Sequence, residues 1–400
     1  MESSLRRQSG LITGVGIAWL FDAMDVGLLS FIIAQIEGEW HLSAGAVGMI
    51  GSVSSLGMAI GAVLFGALAD RIGRKSVLLI TLLIFSLGSF ASAFATGYAM
   101  FIALRLIIGA GLGGELPVAS TLVSESVPVQ HRGRSVVLLE SFWAAGWLVS
   151  ALVAYFIMPQ WGWRIALVLT GATALYGLYF REGLQESPVF AAEGAKQKKP
   201  FFKALAEMWN AKHWRSTAML WVVWFMVVFS YYGMFLWLPS VMVLKGFTLI
   251  HSFGYVLIMT IAQLPGYFTA AWIIEKIGRK LTLSIFLIGT AITAFGFGMA
   301  NGVVALVVWG ALLSFFDLGA WGALYAYSPE QYPADVRSTG SGMAAGIGRI
   351  GGIVGPLLVG NLIAGGVGFP VIFGIFAISL LVAVAAIATW GVETQGKQLD

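Results

Sequence analysis

The chain has 400 residues, 58% of them hydrophobic and 10% charged, with a formal net charge of +4. One soluble core cannot hide that much apolar surface, so the composition excludes an ordinary soluble domain and points to a bilayer. The sequence has no cysteine, which excludes disulfides, thiol catalysis and cysteine metal sites, and neither a metal nor a cofactor is expected.

Apolar stretches of about 20 residues, the length that crosses a bilayer core, fall at 11–34, 46–69, 76–95, 98–124, 135–158, 163–181, 215–240, 250–274, 281–300, 303–328, 338–361 and 368–391. Such continuous runs predict helices, because a membrane barrel would show alternating strands of about 10 residues. The expected fold class is an all-α membrane protein with twelve transmembrane helices in two six-helix halves, 1–181 and 213–400. Between them, residues 182–212 carry Lys196, Lys198 and Lys199 and read as a linker loop. The first apolar run follows Arg6 and Arg7, is too long for a signal-peptide core, and reads as a retained helix. Only Arg164 and Lys245 fall near the outer face, and Arg105 and Arg349 within helices; the other Lys and Arg residues sit in inner loops. This bias places both termini in the cytoplasm and the chain in the inner cell membrane. Basic residues spread over membrane-flanking loops also argue against nucleic acid as a partner.

A charged string occurs twice at an offset of 205 residues: Asp70-Arg71-Ile72-Gly73-Arg74-Lys75 and Glu275-Lys276-Ile277-Gly278-Arg279-Lys280. Glu125, Pro128 and Arg132 return at the same offset as Glu330, Pro333 and Arg337. Two loops repeating in register mean duplication, which is how many secondary transporters are built, with the substrate site between the repeats near the membrane midplane. Asp70 closes helix 2, where a carboxylate can meet the positive N-terminus of a neighbouring helix or an arginine, a contact that must break when the halves rock. Topology-setting charge is the plainer reading, but the repeat of both the acid and the glycine favours a latch.

Ionisable residues inside membrane helices are functional candidates by default. Asp22 and Asp25, spaced i, i+3, share one face of helix 1, and Arg105 on helix 4 falls at a depth similar to Asp25. They are expected to pair, either as a static ion pair or as a proton-linked one in which a movable cation sets the carboxyl. Glu115 is rotated from Arg105 by roughly 80° and is a second proton candidate, or a buried structural acid. Arg105, Gly109 and Gly113 form a stripe that lets another helix approach closely. Gly109-x-Gly111-x-x-Gly114 also fits a dinucleotide fingerprint, which has no meaning inside a membrane helix. Glu140, Trp143 and Trp147 make one face of helix 5 and read as cavity lining. In the second half, Ser314, Asp317, Trp321 and Tyr325 line helix 10, Gln263 and Tyr267 helix 8, and Trp224, Tyr231 and Tyr232 helix 7. Flat rings with a few polar groups suit a small planar heteroaromatic ligand, although ordinary packing also explains many of them. Arg349 on helix 11 lies near the midplane, where it can clamp a carboxylate or pair with Asp317. Trp161, Trp163, Trp237 and Trp390, near helix ends, read as interfacial anchors.

The stretch Gly66-x-Leu68-x-Asp70-Arg71-x-Gly73-Arg74-Lys75 resembles the loop between helices 2 and 3 of the major facilitator superfamily. Arg105-x-x-x-Gly109-x-Gly111-x-Gly113, Arg132-Gly133-Arg134 and Glu186-Ser187-Pro188 support that resemblance, the last two pointing to its sugar-porter and organic-ion branch. Phe21-Asp22-Ala23-Met24-Asp25, Gly113-Gly114-Glu115-Leu116-Pro117 and Ser230 to Pro239 are similar to bacterial niacin (nicotinate) transporters. The resemblance implies the major facilitator fold and a cytoplasmic gate built from Asp70, Arg71, Gly73, Arg74, Glu125 and Arg132 with Glu275, Gly278, Arg279, Glu330 and Arg337. It further implies proton-coupled uptake of a small aromatic carboxylate, most simply nicotinate, by alternating access in a monomer. On that reading Arg349, Asp317, Trp321, Gln263, Tyr231, Tyr232, Trp224, Trp143 and Arg105 meet the substrate. Asp22, Asp25, Arg105 and Glu115 handle the proton. Nicotinamide, another aromatic acid, or a ligand sensed without transport fit the same pattern. Neither a histidine cluster nor a nucleophile with its base appears, so an enzyme is not expected.

Overall fold

A computed structural model describes residues 2–126, 132–176, 179, 186, 208–332 and 337–394. The described backbone is helical over most of each expected apolar run, and fourteen helices carry it. These are α1 Glu2–Glu39, α2 Ala44–Ile72, α3 Arg74–Ser92, α4 Tyr98–Ser126, α5 Arg132–Phe156, α6 Met158–Gly171, α7 Trp214–Phe235, α8 Leu238–Leu244, α9 Leu249–Ile261, α10 Gln263–Ile277, α11 Arg279–Met299, α12 Val303–Glu330, α13 Arg337–Ala364 and α14 Phe369–Trp390.

Eleven stretches among the described residues are long and apolar enough to cross a membrane. The expected run 163–181 is represented by α6, only 14 residues long, followed by a short helical piece at 173–176. Two expected runs are interrupted. The run 215–240 breaks between α7 and α8, where Pro239 sits in the first turn of α8 and supplies no N–H to continue the ladder. The run 250–274 breaks at Ala262, again just before a proline, Pro265. Without an N–H, Pro239 and Pro265 cannot bond the carbonyls four residues back, at Phe235 and Ile261, where α7 and α9 end, and each proline fits the first turn of the helix that follows.

The chain divides into two compact units. One is built mainly from α1 to α6 and also takes Pro239–Gly254; the other holds α7 and α10 to α14 and takes Ala44–Met49. Within the first, α1 packs on α4, α5 and α6, α3 on α4 and α6, and α4 on α5. Within the second, α7 packs on α12, α13 and α14, α11 on α12 and α14, and α12 on α13. The same pairs recur, helix for helix, as duplication requires.

Close packing is set by glycine. A Cβ on Gly109 would stand 3.2 Å from the Gly57 Cα and press on the Ser54 carbonyl, and one on Gly113 would meet the Met58 backbone. So the small-residue stripe of α4 receives α2 at backbone distance. In the second unit α13 approaches α7 the same way, with Gly351 against the Phe229 N at 2.9 Å and Gly348 against the Trp224 O at 3.1 Å.

Two tryptophans read as interfacial anchors are covered by protein. Trp163 and Trp237 are each 1% exposed. Trp163 donates its indole N–H to Glu39 Oε2 at 2.7 Å and lies under Arg164, while Trp237 donates to the Pro356 carbonyl at 3.3 Å. Position near a helix end did not reveal that neighbouring elements cover them. Trp161, 71% exposed, keeps the anchor geometry.

Candidate functional site

The first unit concentrates charge in its interior. Asp25 and Arg105 are buried, and Arg105 Nη2 donates to Asp25 Oδ2 at 2.8 Å. Ser89 Oγ donates to Asp25 Oδ1 at 2.6 Å, and Arg105 Nε donates to Ser54 Oγ at 3.3 Å. Three helices, α1, α2 and α3, thus contribute to the surroundings of one arginine from α4. A buried ion pair repays its desolvation only when further hydrogen bonds satisfy it, and Asp25 meets that condition at both oxygens. Arg105 does so only in part, since its Nη1 has no acceptor among the described residues. Asp22, one turn from Asp25, and Glu115 are both buried as well. Trp143 on α5 lies 5.1 Å from Trp19 on α1, ring centroid to centroid.

The second unit concentrates rings. Trp224 stands 5.8 Å from Trp321 and 5.1 Å from Tyr325, both edge-on, and Tyr231 stands 5.2 Å from Trp321. Tyr232 meets Tyr231 at 5.2 Å. Edge-to-face pairs of this kind are favourable beyond the area they bury, and they hold α7 and α12 side by side. The Trp224 indole N–H donates to Ser328 Oγ at 2.9 Å, which fixes the ring. Arg349 on α13 is half-buried and donates from Nη1 to the Tyr232 hydroxyl at 3.2 Å. It does not pair with Asp317, whose two oxygens are buried without a hydrogen-bond partner among the described residues. Gln263 is buried on α10 with its Oε1 likewise unmatched among the described residues.

The repeated loops are twins in three dimensions. Gly73 and Gly278 each link two helices with φ of 96° and 89°, a left-handed backbone that favours glycine. In each copy the arginine behind the glycine reaches back five residues, Arg74 Nη1 to the Ala69 carbonyl at 3.3 Å and Arg279 Nη1 to the Ile274 carbonyl at 3.5 Å. Each following helix begins on a carboxylate. The N–H groups of Arg74 and Lys75 donate to Glu186, at 2.9 Å for Arg74, and those of Arg279 and Lys280 donate to Glu393 at 3.0 Å. This places a negative charge on the positive end of a helix.

Glu330 is held by Arg279 at 3.2 Å and by the Thr394 hydroxyl. Glu275 is exposed. The side chains of Asp70, Arg71, Glu125, Arg132 and Arg337 lie outside the described residues. Sequence reading missed Glu393 altogether and saw Glu186 only as part of a family motif. The signal was present, because Glu186-Ser187 echoes as Glu393-Thr394, but at an offset two residues longer than that of the other repeats.

Comparison with known proteins follows the same lines. The model of the Major Facilitator Superfamily matches residues 15–264 and 251–399. The chain is 59% identical over 393 residues to a putative niacin/nicotinamide transporter of Bacillus subtilis (strain 168), covering 98% of both chains. It is 46% identical over 417 residues to a niacin transporter of Acinetobacter baylyi, covering 98% of this chain and 95% of that one. In fold it is similar to a D-xylose-proton symporter, with a TM-score of 0.79 at 19% identity over 97% of this chain and 99% of the other. With that family model spanning nearly its whole length and transporters as near full-length relatives, the chain is a multi-pass protein of the cytoplasmic membrane, a transporter and not an enzyme, and belongs to the Major Facilitator Superfamily.

Proposed function

We propose that this protein takes up nicotinate together with a proton by alternating access, through twelve spans in two six-helix halves with both termini cytoplasmic. The observation that carries the reading is the Asp25–Arg105 pair, a buried carboxylate with an arginine within hydrogen-bonding distance. Protonation of Asp25 would release Arg105, and an arginine that changes partner is a coupling device. The near full-length relatives named for niacin transport support the substrate class, and Arg349 beside a wall of rings suits an aromatic carboxylate. Carrying an anion alone into a negative interior costs about 2.3 kcal/mol per 100 mV, whereas carriage with one proton is electroneutral.

Reconstituted protein with an imposed inward proton gradient should accumulate labelled nicotinate, and the Asp25→Asn protein should lose accumulation while retaining exchange. Accumulation by Asp25→Asn that still follows the proton gradient would remove Asp25 from the coupling. No flux of any small aromatic acid would leave ligand sensing without transport as the better reading. The repeated loops, with Gly73, Arg74, Gly278, Arg279 and Glu330, form the cytoplasmic latch of this cycle, together with Asp70, Arg71, Glu125, Arg132, Glu275 and Arg337.

A further inference from the structure

Glu140 takes no part in the pairs described above. It lies on α5, 2% exposed, and its Oε1 has no hydrogen-bond partner among the described residues. A carboxyl buried without a partner forfeits several kcal/mol of hydration, so a group that persists there is explained by something that binds to it. Trp143, three residues further along, shares its face of α5 and meets the ring of Trp19. Trp19 is 3% exposed, and its indole N–H also meets no acceptor. The two helices are fixed against each other by glycine: a Cβ on Gly16 would strike the Phe142 ring at 2.7 Å, and one on Gly27 would press on Ser150 and Trp147. The helices that carry the two rings thus approach closely on both sides of the pair, and the unmet Trp19 N–H and Glu140 carboxyl lie at and beside it. A purely hydrocarbon ring would leave them all unmet.

We propose that Glu140, beside the Trp19–Trp143 ring pair, recognises the in-plane nitrogen of a heteroaromatic substrate and so selects pyridine-type rings over benzene-type ones. In its acid form Glu140 donates one O–H, the ring nitrogen accepts it through its lone pair, and the ring packs against the indoles. No bond to carbon is made or broken. This deepens the nicotinate reading and rests on it.

The test compares nicotinate with benzoate, which keeps the carboxylate and the ring but lacks the nitrogen. Both are offered as competitors of labelled nicotinate in proteoliposomes holding the wild-type, Glu140→Gln or Glu140→Leu protein. The wild type should prefer nicotinate. Glu140→Leu should weaken nicotinate about tenfold, the worth of one hydrogen bond, and leave benzoate unchanged. Glu140→Gln, which keeps an N–H donor, should hold the preference within about threefold.

Equal losses for both ligands in Glu140→Leu would mean a structural role and overturn the proposal. So would an unchanged preference in that protein, or a wild type that does not discriminate. Trp19→Phe, which keeps a ring and removes the N–H, gives a second arm should Glu140→Leu fail to fold: a modest drop in nicotinate preference is expected, and a drop for benzoate as well would count against the site. If the wild type carries neither acid, the nicotinate reading falls first and this proposal with it. Nicotinate uptake that ignores Glu140 sinks only the proposal.

Discussion

The two units carry the same glycine-linked loop and differ in their interiors. In the first, an ion pair is buried, with Asp25 bonded to Arg105 and Ser89. In the second, Arg349 donates to the Tyr232 hydroxyl beside a cluster of rings, and the buried acid Asp317 has no hydrogen-bond partner among the described residues. Duplication explains what they have in common, the same helix pairs and the same glycine-linked loops. Divergence between the copies explains why one interior carries a buried ion pair and the other an arginine beside a cluster of rings. A buried pair suits a group that changes state internally, and an arginine beside rings suits an aromatic carboxylate.

The largest expected effect breaks the first unit. Arg105→Met leaves Asp25 charged, buried and without its cation, which costs about 3–5 kcal/mol. Thermal unfolding of the purified protein should show a large drop, and the double variant with Asp25→Asn should recover much of it. No recovery would mean that Arg105 stabilises through packing and not through charge.

A smaller effect separates the units. Arg349 is half-buried and donates to the Tyr232 hydroxyl at 3.2 Å, so Arg349→Ala should lower the unfolding temperature far less than Arg105→Met. Nicotinate affinity should weaken by about ten- to a hundredfold, the worth of a charge-assisted hydrogen bond. Unchanged affinity in binding or counterflow assays would remove Arg349 from the substrate's contacts and erase the contrast just drawn.

The smallest effect tests what the units share. Glu186→Gln and Glu393→Gln each weaken a carboxylate cap at a helix N-terminus, worth about 1 kcal/mol. Matching shifts in unfolding temperature would support equivalent latches. Glu393→Gln alone having an effect would show that the second copy, with Lys280 Nζ also bonded to the Gly391 carbonyl at 2.8 Å, carries the closure.

Much of the fold was legible because each spanning helix needs a long apolar run and each repeat keeps its charges. Less of the site was. The depth of Asp25 and Arg105 could be counted along their helices, and their pairing followed from depth. That Arg349 turns to Tyr232 instead of Asp317 could not, because the choice depends on side-chain directions across three helices. Trp163 and Trp237 show the same limit, since exposure depends on what covers a residue and not on its distance from a helix end. The breaks at 236 and 262 were readable from Pro239 and Pro265, although the apolar runs continue across them.

The sequence by itself determined that this chain lies in a membrane, that it was duplicated, and which residues carry charge into the apolar interior, because all three depend on composition and spacing alone. Tertiary structure decided which of those charges meet: Asp25 with Arg105, Glu330 with Arg279, and Glu186 and Glu393 with the helix ends that follow Gly73 and Gly278. The physical reason is that a partner within hydrogen-bonding distance is chosen by packing between helices that are distant in sequence, and local pattern holds no record of that choice.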